Sequence, residues 1–378
     1  MRIIFALTLV FSIYGVINFY ITRRIYQGLT YLFPNLNIII YSIVIIFVSL
    51  SVILGYIPIH PIINNFLRWV GSYWMGIFVY FFLFFLAADI ILFSGSLLKI
   101  IPFPLTQNIR FFTGLIVILL TTCLIFYGKY NANIIKNVTY DVRIKESVLS
   151  DEIKIVMIAD LHLGTLNSEK NLTKIIQRIN ALEGDIVCIV GDIFNDDFNV
   201  IKNPQKASDL FKSINSKYGV YACLGNHDGG KTFNEMVSFL KESNIKLLND
   251  EYEIIDDQFI LIGRLDPSPI GGFGGLVRKD ISEILISIDK TLPIIVMDHT
   301  PSNIEQYGEE IDLILSGHTH RGQIFPGSLI TRAMFTVDYG YYQKDVSSPH
   351  VIVTSGVNTW GTSLRIGTNN EIVSIRLQ

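Results

Sequence analysis

The chain has 378 residues and a formal net charge of −3, enough length for two or more domains. Half of it is hydrophobic and its mean hydropathy is +0.43, which is high for a soluble enzyme. Residues 1–130 hold seven basic groups and one acid, Asp89, leaving 23 basic and 32 acidic groups, a net of −9, for the remainder. That acidic remainder excludes the non-specific nucleic-acid binding that relies on Lys and Arg at phosphates, and no nucleic acid is expected as a partner. It is compatible with bound cations, which offset clustered acids.

Residues 1–130 read as an all-α transmembrane region of about four helices, since a bilayer is crossed by about 20 apolar residues. The segments are Ile3–Thr22, Leu36–Ile57, a third from Val70 past Asp89 to Leu98, and Phe111–Gly128. Trp69, Tyr73, Trp74 and Tyr127 are expected near span ends, at the headgroup layer. Pro34, Pro58, Pro61, Pro102 and Pro104 fall between spans, where helices stop. A cleaved signal peptide fits the first segment less well, because three further spans follow. An even number of spans puts both ends of the region on one face of the cell membrane. The basic residues divide almost equally between the two faces, so they do not orient it. Asp89 is expected near the end of the third span, reaching water, because a carboxylate inside hydrocarbon is expensive.

Residues 131–152 read as a linker with one short strand, Val138–Ile144. From 153 to 378 strands and helices alternate, which predicts an α/β sandwich. Ile153–Ala159, Ile186–Val190, Gly219–Leu224, Pro293–Met297 and Leu313–Ser316 are short Ile- and Val-rich runs typical of buried strands. Helical patterns lie near Glu169–Leu182, Lys206–Ser213, Thr232–Ser243 and Lys279–Ile288. The three cysteines, Cys123, Cys188 and Cys223, show no metal or redox spacing and are expected to be small buried side chains.

Each of the five strand candidates finishes at a short polar motif. The motifs are Asp160-Leu161-His162, Gly191-Asp192, Gly225-Asn226-His227-Asp228, Asp298-His299 and Gly317-His318-Thr319-His320. They hold five of the seven histidines in the chain. Ligands of open α/β sheets bind beyond the carboxyl ends of the strands, so five such ends can converge on one cleft. Carboxylates, an amide and imidazoles without thiolate suit Mn²⁺, Fe or Zn²⁺.

The order of these motifs resembles the calcineurin-like metallophosphoesterases, over about Ile153 to Gln378. Gly322-Gln323, Trp360-Gly361, Arg365 and Glu371-Ile372 are similar to the bacterial membrane-associated branch of that family, and Arg321 departs from its more usual glycine. The resemblance implies a four-layer α/β/β/α sandwich and two divalent metal ions. Asp160, His162, Asp192 and His320 would bind one ion. Asp192, Asn226, His299 and His318 would bind the other, with Asp192 bridging. Two such ions, about 3.5–4 Å apart, acidify a shared water and clamp an in-line phosphoryl displacement. His227 would be a non-ligand acting on the leaving oxygen or the phosphoryl charge, with Asp228 as its partner.

Other residues read more plainly. Asn195, Asp196 and Asp197 fit a turn better than a pocket lining. Gly271, Gly272, Gly274 and Gly275 lack the ending of a P-loop and are expected to form a mobile loop near the cleft. Arg321 fits a phosphate contact or a solvated rim charge equally well. The function expected is a membrane-anchored phosphoesterase whose substrate is a phosphodiester, pyrophosphate or phosphomonoester. Location alone points to a lipid-linked or envelope substrate. The alternatives are a membrane receptor or scaffold with a non-catalytic metal fold, and a nuclease, against which the acidic domain speaks.

Overall fold

The computed structural model describes residues 2–57, 59–144, 152–164 and 169–378. Pro58 and positions 145–151 of the expected linker lie outside them. The chain divides into two compact units, Met1–Lys129 with Gly361–Ser363, and Tyr130–Trp360 with Leu364–Gln378.

The first unit contains α1 (Arg2–Leu32), α2 (Ile38–Leu54), α3 (Pro61–Leu97) and α4 (Gln107–Asn131), which runs two residues past its end. Residues 62–97 and α4 are long and apolar enough to cross a membrane. At 17 residues α2 falls short of that length. Polar side chains turn inward: Ser49, Ser51, Asn64 and Thr121 are buried, while Ile39, Ile40 and Ile91 are more than 60% exposed. Inside, the Ser49 hydroxyl donates to Asn18 Oδ1 and the Tyr14 hydroxyl donates to the Ser49 carbonyl. Gly71 lets α3 approach α2, since a Cβ there would sit 2.9 Å from Val52 backbone atoms.

Four expectations about this unit change. The third helix starts at Pro61, not Val70, because Arg68 does not end it: its Nε donates to the Gly55 carbonyl. Trp74 therefore lies well inside α3, buried beside Ile21 and Phe78, and not at a span end. Asp89 is not a water-seeking end group. It pairs with Arg24 at 2.7 Å and accepts from the Tyr20 hydroxyl at 2.6 Å, because α1 continues past the first span's expected end at Thr22. Cys123 is exposed on α4, whereas Cys188 and Cys223 are buried as expected.

The second unit contains two mixed six-stranded sheets. The first sheet has β1 (Ile135–Val142), β2 (Ile153–Ile158), β3 (Ile186–Val190), β4 (Val220–Cys223), β5 (Ile245–Leu247) and β12 (Asn370–Leu377), in the order β1-β12-β2-β3-β4-β5. The second has β6 (Glu251–Ile255), β7 (Phe259–Gly263), β8 (Ile294–Met297), β9 (Leu313–Ser316), β10 (Gly340–Tyr342) and β11 (His350–Val353), in the order β10-β11-β9-β8-β7-β6. The helices are α5 (Glu169–Ala181), α6 (Pro204–Lys212), α7 (Phe233–Glu242), α8 (Ile281–Leu285) and α9 (Gly327–Met334).

Alternation along each strand divides the core. Ile155, Met157, Cys188 and Val190 of the first sheet cluster with Leu261, Ile295, Met297, Leu313 and Leu315 of the second. Val156, Ile158, Val187 and Ile189 point the other way, onto Leu172 and Ile176 of α5, Phe211 of α6 and Phe239 of α7. Strands covered on both faces read as continuous apolar runs, which is why they are recognisable in sequence. The strand expected at Val138–Ile144 is β1. It pairs in parallel with β12 from Ile135↔Asn370 to Val142↔Leu377. That part of the expected linker is an edge strand of the sheet.

Candidate metal centre

Parallel pairing of β2, β3 and β4, and of β7, β8 and β9, brings the carboxyl ends of successive strands together. Asp160 and His162 follow β2, Asp192 follows β3, and Asn226 and His227 follow β4. His299 follows β8, and His318 and His320 follow β9. The turns that carry these side chains are strained. Asp160, His162, Asp192, His318 and His320 all adopt left-handed backbone, with φ between 44° and 69°. Such a conformation persists in non-glycine residues where surrounding structure fixes it, and it clusters at functional sites. Gly225 packs so closely that a Cβ would lie 2.2 Å from Asp192 Oδ1.

Two groups form. Asp160, His162 and His320 bring one donor atom each within 4.8 Å of one another, and so do Asp192, His299 and His318. The His162 and His320 Nε2 atoms are 3.1 Å apart. Asp192 Oδ2 lies between the groups, 3.6 Å from His162 Nε2 and 3.2 Å from His299 Nε2. Asn226 Oδ1 is 2.9 Å from His318 Nδ1.

The chemistry of these atoms fits cations. Asp160 Oδ2 is buried without a hydrogen-bond partner. Burial pushes the Asp160 carboxyl up, with the nearby Asp192 charge adding to it, as for acids lacking a counter-ion. Burial also holds His162 down to about 3 and His318 to about 4, so both imidazoles are neutral and can offer a lone pair. His299 donates Nδ1–H to the Val190 carbonyl at 2.8 Å. A carbonyl only accepts, so Nε2 is the atom left to face Asp192. Burial lowers the His299 pKa, but the charge and hydrogen bond of Asp192 with the charges of Asp160 and Asp266 together outweigh it, and the net direction is up.

Around these groups the structure differs from expectation. Asp228 does not hold His227. Its buried carboxylate accepts from the backbone N–H groups of Phe194 and Gly225, both at 2.8 Å, and so ties two loops together. The partner of His227 is Asp196, with Nδ1 to Oδ1 at 2.6 Å. Asp196 is also a turn residue, at φ 64°, and nothing in its spacing distinguishes the two roles. Burial lowers the His227 pKa, but the bond to Asp196 together with the charges of Asp192, Asp196 and Asp228 more than reverses it, so the net direction is up. The rings of His162 and Trp360 lie 5.2 and 5.6 Å from that of His227. The glycine loop is pinned to the same turn: Ile270 N–H donates to the Asn226 carbonyl and Gly230 N–H to that of Gly272. Arg321, at φ 50°, stacks 4.1 Å over the Tyr339 ring, which is where its guanidinium goes.

Arg365 is the residue whose role sequence reasoning missed. Its guanidinium is fully buried and donates to the carbonyls of His320, Ser355 and Asn358, to Asn370 Oδ1 and to His320 Nδ1. It fixes both the backbone and the ring of His320. Arg365→Met leaves at least three buried carbonyls without this donor, at about 1–3 kcal/mol each. At about 2–4 °C per kcal/mol, the expected result is a fall in Tm of roughly 6 °C or more by scanning calorimetry. An unchanged Tm would show that other donors replace it.

Residues 153–322 match the model of the calcineurin-like phosphoesterase family, and the chain carries a domain of that family. An uncharacterized metallophosphoesterase of Campylobacter jejuni is 29% identical, over 98% of this chain and 97% of its own. One from Helicobacter pylori is 30% identical, over 61% of this chain and 60% of its own. A Bos taurus protein named as a transmembrane protein with metallophosphoesterase domain is 28% identical, over 60% of this chain and 53% of its own.

Proposed function

We propose that the chain is a membrane-anchored phosphoesterase with two divalent metal ions, Mn²⁺, Fe or Zn²⁺, and a four-layer α/β/β/α catalytic domain. The observation that carries this is Asp192 Oδ2 lying between two groups of buried donors. Asp160, His162, Asp192 and His320 hold one ion. Asp192, Asn226, His299 and His318 hold the other. When bound, a pair of ions supplies an activated water and neutralises phosphoryl charge.

The chain's own residues do the rest. Asp196 fixes the His227 ring through Nδ1 and leaves Nε2 for a substrate oxygen, so His227 donates a proton to the leaving group or a hydrogen bond to the phosphoryl oxygens. The His227 backbone N–H donates to Asp192 Oδ1 at 2.9 Å, which orients the bridging carboxylate. Half-exposed Trp360 shields one side of His227 from water. The anchor is the helical unit, whose apolar side chains face outward and polar ones inward, as a lipid solvent requires. A phosphodiester or pyrophosphate carried by a lipid is the substrate class this location favours.

Chelation is expected to abolish hydrolysis of bis-p-nitrophenyl phosphate by the detergent-solubilised chain, and Mn²⁺ to restore it. Saturation with metal at about 100 times its Kd adds roughly 2.7 kcal/mol of stability, read as a higher Tm. Full activity in chelator would sink the metal mechanism. Metal uptake without any turnover would favour the receptor reading.

A further inference from the structure

Helix α9 has no buried residue along its length. Leu329, Ile330 and Met334 are 55%, 60% and 69% exposed, and Phe325 just before them is 48% exposed. Single exposed apolar side chains are ordinary, whereas a contiguous group marks an interaction surface.

This face is tied to the metal centre at both ends. At the start, Gly322, two residues after His320, packs on Gly327, and a Cβ at Gly322 would meet a Gly327 backbone atom at 2.1 Å. At the far end, the Phe335 ring lies 6.0 Å from that of His318. Between them, the Thr331 hydroxyl donates to Asp338. Two more apolar groups flank the site. Trp360 stands beside His227, and the glycine loop pinned to Asn226 exposes Leu276 and Val277. Charge follows the same pattern. The stretch 317–337 contains Arg321 and Arg332 and no Asp or Glu, in a part of the chain whose net charge is −9.

An apolar helix face with cationic flanks suits acyl chains under anionic headgroups. Two helices of the same chain are long and apolar enough to cross a bilayer, which puts that surface within reach. We propose that the exposed apolar face of α9, with Phe325 just before it, docks the metal domain on a lipid bilayer. Leu329, Ile330 and Met334 enter the acyl region and Arg332 meets phosphate headgroups. This inference rests on the membrane-anchored reading above.

The test uses the full chain in nanodiscs of phosphatidylcholine and phosphatidylglycerol, in a Cys123→Ser background. An environment-sensitive nitrobenzoxadiazole label is placed at Ile330→Cys or, for comparison, at Val346→Cys, a position 84% exposed. The expected result is a blue-shifted emission maximum at 330 and loss of its intensity with nitroxide-labelled lipids, with neither at 346. Water-like emission at 330 overturns the proposal. So does a blue shift that lipid nitroxides leave unquenched, which would assign the face to a protein partner such as a second copy of the chain. If alkaline carbonate strips the chain from the nanodiscs, the anchor reading fails and the docking proposal fails with it.

Discussion

Asp192→Asn is expected to lower kcat/KM toward bis-p-nitrophenyl phosphate by on the order of 10³-fold, the scale seen when a central electrostatic contact of a transition state is removed. The substitution keeps the side-chain shape. The amide oxygen can still accept from the His227 N–H, as Asp192 Oδ1 does. What it removes is the charge between His162 and His299, the one feature common to both donor groups. The variant should therefore fold, hold less metal by elemental analysis, and stay inactive when Mn²⁺ is added in excess. Retained turnover would refute a bridging role for Asp192.

His227→Ala is expected to cost about 10²–10⁴-fold in kcat, the range for a positioned acid–base group. Metal content should be unchanged, because this ring is bonded to Asp196 and is not part of either donor group. Asp196→Asn should reproduce part of that loss, with KM and metal content unaffected, since it frees the ring without removing it. Asp228→Asn should behave differently. Its carboxylate braces the Phe194 and Gly225 backbone, so the variant is expected to lose stability before it loses chemistry. Comparing Tm and kcat across the three variants separates the roles. Equal kcat losses at 196 and 228 without a stability change would restore the pairing of His227 with Asp228.

The five strands that precede polar motifs were legible because both of their faces are buried. Ile186–Val190 and Leu313–Ser316 match β3 and β9 to the residue, and the other three differ by one or two positions. Strands β6, β10 and β11 carry no comparable signal, whereas β7 is an apolar run buried throughout, legible by the same rule though absent from the expected strands. Strand β6 is mostly exposed or half-buried, β10 has three residues, and β11 follows a loop without helical period. Helix α9 was missed for a related reason: it buries nothing, so no apolar stripe faces a core. In the first unit, hydropathy located apolar stretches but not helix ends, and so it misplaced Trp74 and Asp89.

The sequence by itself determined the family resemblance and the set of candidate ligands, because ligand types are written in side chains, and their placement after apolar runs follows from strand burial. It also determined that the front of the chain is apolar and the back acidic. Which carboxylate serves which histidine was decided only by the tertiary structure. Asp228 is adjacent to His227 in the chain, yet Asp196, thirty-one positions away, makes the contact. Adjacent residues on a tight turn point in different directions, and a strand order that sets β3 beside β4 brings the 196 and 227 loops together. The same holds for Arg365, which reaches His320 because β12 and β2 pair, and for the apolar face of α9, which flanks the metal centre because of how one glycine packs on another.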